Sequence, residues 1–217
     1  MSVERIRHVW EAFRDQPLSE ALLVLLQPPP GEAQCLRPET QYLHPEAHYL
    51  HPIGYQIQDI SRLPDASQPQ RLFDRVLNHL GLDAVRGTET IVLPASFPIL
   101  VCAARLGVLA RIQTMSWQHL SGRQSFGTKT TRHQLIKASF ADIAGKASLL
   151  LEQQYQRLRE GDFAGLEDDH YQITQLNNEA EKMMGGHGFL LGNTHSLSYF
   201  SMMLYSIYGK ASSLAAA

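Results

Sequence analysis

The chain has 217 residues, 44% of them hydrophobic, and a formal net charge of -2 from 19 basic and 21 acidic residues. That is enough chain for one substantial core without staples. The charges are spread evenly, so no basic stripe is available to neutralise a phosphate backbone, which excludes nucleic acid as an expected partner.

Cys35 and Cys102 lie in different contexts, which implies a reducing compartment rather than a disulfide framework. Met1-Ser2-Val3-Glu4-Arg5 opens no apolar signal core, and the run Ala21 to Leu26 is too short to cross a bilayer. A soluble cytoplasmic protein with no membrane association is expected. Charged residues are 18%, below the usual quarter or so, and such a surface suits an oligomer.

In chain order, Val3 to Phe13 reads as a short amphipathic helix with Ile6, Val9, Trp10 and Phe13 on one side. Ser19 is expected to cap a helix from Glu20 to Leu26, which Pro28-Pro29-Pro30-Gly31 stops. Recurrent prolines make residues 32–69 an irregular segment with two short strands, one around Gly54 to Ile60. It holds a small duplication, Tyr42-Leu43-His44-Pro45 and Tyr49-Leu50-His51-Pro52. His44, His48 and His51 invite a metal reading, but His-Pro steps force an extended chain and only Glu46 adds an acid, so no metal site is expected.

After Gln70 the pattern is helical almost without interruption. Leu72, Val76, Leu77 and Leu80 form a face that stops at Gly81. Pro94 or Pro98 opens a long helix through Leu100, Ala103, Ala104, Gly107, Ala110 and Ile112 to Gly122. From Thr131 to Arg159, Ile136, Phe140, Ile143, Ala147 and Leu150 repeat at intervals of four and three, the seam of an antiparallel bundle. Leu166 to Met184 follows, with Tyr171, Ile173, Leu176, Ala180 and Met183 apolar. Ser196 to Tyr208 is apolar almost all round and must be buried by the bundle or by another subunit.

The expected architecture is mainly α: residues 91–217 as a four-helix up-down bundle, preceded by residues 1–90 as N-terminal helices and a proline-rich irregular segment.

Three motifs stand in order in the second half: Arg123-Gln124-Ser125-Phe126-Gly127 with His133-Gln134, then Ala141-Asp142-Ile143, then Met183-Met184-Gly185-Gly186-His187-Gly188-Phe189. An arginine just past a helix end can fork a diphosphate, and an aromatic three residues on can stack a planar group. A Gly-Gly step lets a cofactor approach the backbone.

By these motifs and their spacing the segment from Leu93 onward resembles the helical C-terminal domain of the acyl-CoA dehydrogenases. The resemblance implies that Arg123, Phe126 and Gln134 contact the FAD of a neighbouring subunit and that Lys182, Gly185 and Gly186 line its adenine end. It also implies a homo- or hetero-oligomer with an acyl-CoA dehydrogenase-like flavoprotein. The length is too short for that family's N-terminal and β-domains as well.

The departures concern the chemistry. The family's glutamine before the glycine pair is Lys182, its Arg-Asp pair is Phe200-Ser201, its catalytic glutamate falls on Gly209, and the alternative carboxylate of some members falls near Phe97. Neither Gly209 nor Phe97 can abstract a proton. His187, His195, Tyr205 and Tyr208 are the candidates for a relocated base.

Three readings follow. The chain is the partner subunit of a flavin-linked acyl-thioester oxidoreductase, sharing FAD. Alternatively it is a flavin-free bundle acting as an isomerase or cyclase on acyl-CoA or acyl-carrier-protein substrates in secondary metabolism, or a non-catalytic assembly protein.

Overall fold

A computed structural model describes residues 1–26, 47–52, 70–87 and 95–209. The proline stop at residues 28–31, the strand expected at 54–60 and His44 lie outside them.

Helix α1 runs Val3–Asp15, with the Ser2 hydroxyl accepting from the Arg5 amide at its start. Helix α2, Leu18–Leu26, begins before Ser19, so that serine sits in the first turn rather than at the cap. The Arg5 guanidinium donates to the Val24 and Leu25 carbonyls and fastens the two helices together.

A small antiparallel sheet follows, of strands β1 (Ala47–Pro52), β2 (Gln70–Leu72) and β3 (Leu82–Gly87), with β3 central. This departs from the continuous helix expected after Gln70. Helix α3 covers only Arg75–His79: Leu72 is drawn into β2, Asp74 caps the Val76 and Leu77 amides, and Gly81 turns at φ 78°. Leu82–Gly87 then finds partners on both sides, Leu50 and Leu72 both opposing Ala84.

The bundle is built from α4 (Phe97–Ser121), α5 (Gln134–Glu160), α6 (Leu166–Lys182) and α7 (Thr194–Leu204), the last running into a π turn at Tyr205–Gly209. Pro98 stands in the first turn of α4, where its missing amide costs nothing. This helix is long and apolar enough to cross a membrane, yet most of it is buried in the bundle.

Gly107 explains how α1 reaches α4. A Cβ there would lie 2.5 Å from the Trp10 carbonyl oxygen and 2.8 Å from Phe13 Cβ. Only glycine admits so close a crossing. Arg111 of α4 donates to the Arg14 carbonyl at 3.1 Å and to the Gln16 carbonyl, capping the end of α1. Phe13 stacks on Phe200 of α7. Ile6, Val9, Phe13 and Leu22 therefore share one core with Ile99, Leu106, Ile173 and Phe200.

Between α5 and α6, buried Asp169 accepts from Arg157 Nε at 2.8 Å, Gln154 at 2.9 Å and Gln153 at 3.1 Å. A lone buried carboxylate would be expensive, but this one is fully occupied and fixes how the helices align. The apolar C-terminal segment is buried by the bundle itself through Leu197, Phe200, Leu204 and Tyr208. Tyr171, counted as apolar on α6, is 64% exposed because it falls off the seam held by Ile173, Leu176 and Ala180.

Candidate functional site

The segment after α4 folds into a two-residue hairpin, β4 (Gln124–Ser125) against β5 (Thr128–Lys129). Its turn residues Phe126 and Gly127 have φ of 51° and 77°, as hairpin turns of the twist-matching type require. The Thr130 amide bonds the Arg123 carbonyl at 3.0 Å, and His133 at the start of α5 reaches the Ser125 carbonyl at 3.2 Å. The hairpin is thus held from both ends, while Phe126 at its tip is 97% exposed.

Arg123 is exposed, and its Nη1 donates to His119 Nε2 at 3.2 Å. His119 stacks on His187 at 4.7 Å, and so two motifs about sixty residues apart meet on one surface. Gln134 is exposed at the start of α5, whose N-cap His133 makes no side-chain cap, leaving backbone donors free to face an anion.

Lys182 lies instead in the open groove between α5 and α6, with Ser139, Asp142, Ile143, Glu179 and Met183. Gly185 turns at φ 62°, and a Cβ on Gly186 would meet nothing. The tightest glycine of the motif is Gly188, where a Cβ would lie 2.4 Å from Thr194 Oγ1. That contact packs α7 on the end of α6.

The positions of the family's carboxylates also come together. Phe97 and Tyr208 meet edge to face at 6.2 Å. A Cβ on Gly209 would lie 2.7 Å from Tyr205 Cδ2 and 3.0 Å from His170 Nε2. Aromatic rings occupy one position and no side chain fits the other. His195 is exposed and bonds Glu181 at 3.2 Å, and His187 faces solvent, so neither histidine joins the group around Gly209. Tyr205 does join it, tilted on His170 at 4.8 Å.

Beneath Gly209 lies a polar cluster that the sequence reading missed. Arg105 of α4 is wholly buried, and its partners are neutral: Ser201 Oγ at 3.1 Å, the His170 carbonyl at 3.0 Å, His170 Nδ1 at 3.0 Å and Thr174 Oγ1 at 2.6 Å. Burial pulls its pKa down to about 10. Because a guanidinium only donates, His170 Nδ1 must accept, which puts the imidazole proton on Nε2, toward Gly209. Burial first, then Arg105, lowers the His170 pKa to about 3, so the ring stays neutral. Cys102 lies 3.5 Å from His170, and burial pushes its thiol pKa up. It is an unreactive packing group.

The four antiparallel helices, with an arginine-phenylalanine hairpin between the first two and a glycine turn before the last, have the fold of the acyl-CoA dehydrogenase C-terminal bundle. Glutaryl-CoA dehydrogenase of Mycobacterium smegmatis in complex with FADH2 matches at a TM-score of 0.51 and 13% identity, over 68% of this chain and 45% of that one. Butyryl-CoA dehydrogenase of Megasphaera elsdenii matches at 0.50 and 15%, over 70% and 47%. The ChsE4-ChsE5 complex of Mycobacterium tuberculosis matches at 0.50 and 16%, over 70% and 48%.

The chain thus spans about half the length of these structures, and at such identities the likeness is one of fold. The share matched exceeds residues 97–209, which are about half the chain, so the shared fold extends beyond the four bundle helices. No family model and no curated protein matches the sequence.

Proposed function

We propose that this chain is the helical component of a flavin-linked acyl-thioester oxidoreductase, in which an acyl-CoA dehydrogenase-like partner holds the flavin ring and supplies the base. The observation that carries the reading is Phe126, a large aromatic almost fully exposed in left-handed backbone. Exposure forgoes roughly 2 kcal/mol of burial, and the backbone costs on the order of 1 kcal/mol more. Among the described residues the one ring that meets it is His133, edge on at 6.4 Å between centroids, and the hairpin fixes its backbone while leaving the ring's faces open, which is what a residue shaped for another surface looks like.

The donor set fits a shared FAD. Arg123 and the uncapped start of α5 would hold its diphosphate, Phe126 would cover a planar ring, and the exposed Gly185-Gly186 backbone leaves room for the adenine end. When bound, the flavin supplies the hydride acceptor. This chain's part is to bind and orient, because Phe97 and Gly209 offer no carboxylate to take the α-proton of an acyl thioester.

The test is absorbance of the chain purified alone and with whatever flavoprotein its genetic neighbours encode, followed at about 370 and about 450 nm for oxidised flavin. Flavin that is retained in the complex and lost on Arg123→Ala or Phe126→Gly supports the proposal. A flavin-free complex, or one indifferent to both changes, sinks it.

One observation favours a second reading, a non-redox enzyme on an acyl or carrier-bound substrate. His170 is a neutral imidazole with its N–H aimed at the closed carboxylate position, a group able to polarise a carbonyl. Turnover of an acyl thioester without flavin, abolished by His170→Gln, would favour it over the first.

A further inference from the structure

His119 closes the last turn of α4, and His187 belongs to the turn Gly185–Phe189. Their rings lie face to face, 4.7 Å apart and 11° from parallel. Neither was among the residues that the family motif assigned to a cofactor diphosphate, yet His119 contacts Arg123 and His187 stacks on His119. The 3.2 Å contact from Arg123 Nη1 requires an unprotonated His119 Nε2, since a guanidinium offers no acceptor. His119 is therefore neutral with its proton on Nδ1, and in that form it holds Arg123 against the helix end.

Protonating His119 would break that bond and set an imidazolium directly beside the Arg123 guanidinium. The charged groups that act on His119 are His187, from the glycine turn, and Arg123, from the segment after α4, and no carboxylate is among them. Desolvation first, then these two neighbours, holds its pKa below the ordinary 6.5. Arg123 and His187 face solvent while His119 is half-buried. Such a group is stable with all its charges only when an anion joins it.

We propose that Arg123, His119 and His187 form a proton-coupled diphosphate receptor. Without the anion, neutral His119 latches Arg123. When a diphosphate docks, His119 takes up a proton from solvent, the latch opens, and Arg123 and the His119 imidazolium turn to the phosphate oxygens, with the His187 ring stacked against His119. The choice of a diphosphate rests on the flavin-linked reading above; the proton coupling rests on the ring stack and the arginine contact.

Each proton taken up makes affinity rise by up to about tenfold per pH unit of acidification, over the range between the free and bound pKa values. The probe is ADP-ribose, whose diphosphate is esterified on both sides and does not itself titrate near neutrality. Calorimetry on the full chain at about pH 6, about pH 7 and about pH 8, at one low salt concentration and in buffers of different ionisation heat, reads both affinity and proton uptake.

The expected result is binding that tightens at least roughly tenfold from pH 8 to pH 6 with net proton uptake. His119→Phe keeps a ring in the stack but carries no proton, and it should flatten the slope. Arg123→Ala should weaken binding at every pH.

A slope that survives His119→Phe, or no binding at any pH, overturns the receptor. The two proposals fail separately. Arg123-dependent flavin in the partner complex, with no pH slope for ADP-ribose, refutes only the proton coupling. A slope lost in His119→Phe, with a flavin-free complex, refutes only the redox assembly.

Discussion

Replacing Gly107 and Gly145 each by alanine should move stability in opposite directions, although both lie inside long helices. At Gly145 of α5 a Cβ would meet nothing within 4 Å. There the substitution only lowers the entropy of the unfolded chain and should stabilise by about 0.5–1 kcal/mol.

At Gly107 the new carbon would sit 2.5 Å from Trp10 O, 2.8 Å from Phe13 Cβ and 3.2 Å from Arg14 N. Two of these atoms are backbone and cannot rotate away, so α1 must shift by about 1 Å to restore ordinary contact near 3.5 Å. Overpacking of this kind costs about 1–3 kcal/mol, sometimes more, and outweighs the propensity gain of about 1 kcal/mol. Urea denaturation followed by circular dichroism gives both midpoints and slopes. If Gly107→Ala is as stable as Gly145→Ala, α1 does not cross α4 where the structure has it.

Three further outcomes are expected. His170 is depressed to about 3 when folded against about 6.5 unfolded; between those values the unfolded chain binds more protons. Its contribution is therefore intact above about pH 6.5 and falls by up to about 1.4 kcal/mol per pH unit on acidification, and His170→Gln should remove that part of the acid sensitivity of the urea midpoint.

Arg105→Ala removes the donor from His170 Nδ1 and Thr174 Oγ1 and opens a cavity, while Ser201 Oγ keeps Asn177 and the His170 carbonyl keeps Thr174 as donors, for a loss of about 3–5 kcal/mol. Arg105→Met fills the space without a desolvated charge, so denaturation should find it clearly the more stable of the two. Asp74 caps α3 and also accepts from the Tyr199 hydroxyl of α7. Asp74→Ala should cost about 2 kcal/mol against about 1 for Tyr199→Phe, and the double variant should cost less than the sum.

The helices of the bundle were legible in the sequence because their periodicity is set locally. Phe140, Ile143 and Leu150 announce a buried seam before any partner is known, and Pro98 and Gly122 mark the ends of α4 by backbone chemistry alone. Strand β3 was not legible, since Leu82-Asp83-Ala84-Val85 alternates weakly and becomes a strand only by pairing with segments on either side of it in the sheet.

Arg105 was missed for a similar reason. An arginine in an apolar helix reads as one exposed position, and its acceptors come from α6 and α7, up to 97 residues away. Phe126 and Arg123 were found by motif, whereas the part played by His119 needed the fold, because its partner His187 lies far along the chain.

The crossing of α1 on α4 also bears on how the chain is made. Ile6, Val9 and Phe13 leave the ribosome early, yet the helix that covers them ends only at Ser121. At about 5–20 residues per second, an apolar strip waits on the order of 5–20 s for its partner. Nascent α1 thus keeps its apolar strip uncovered for as long as synthesis of α4 takes.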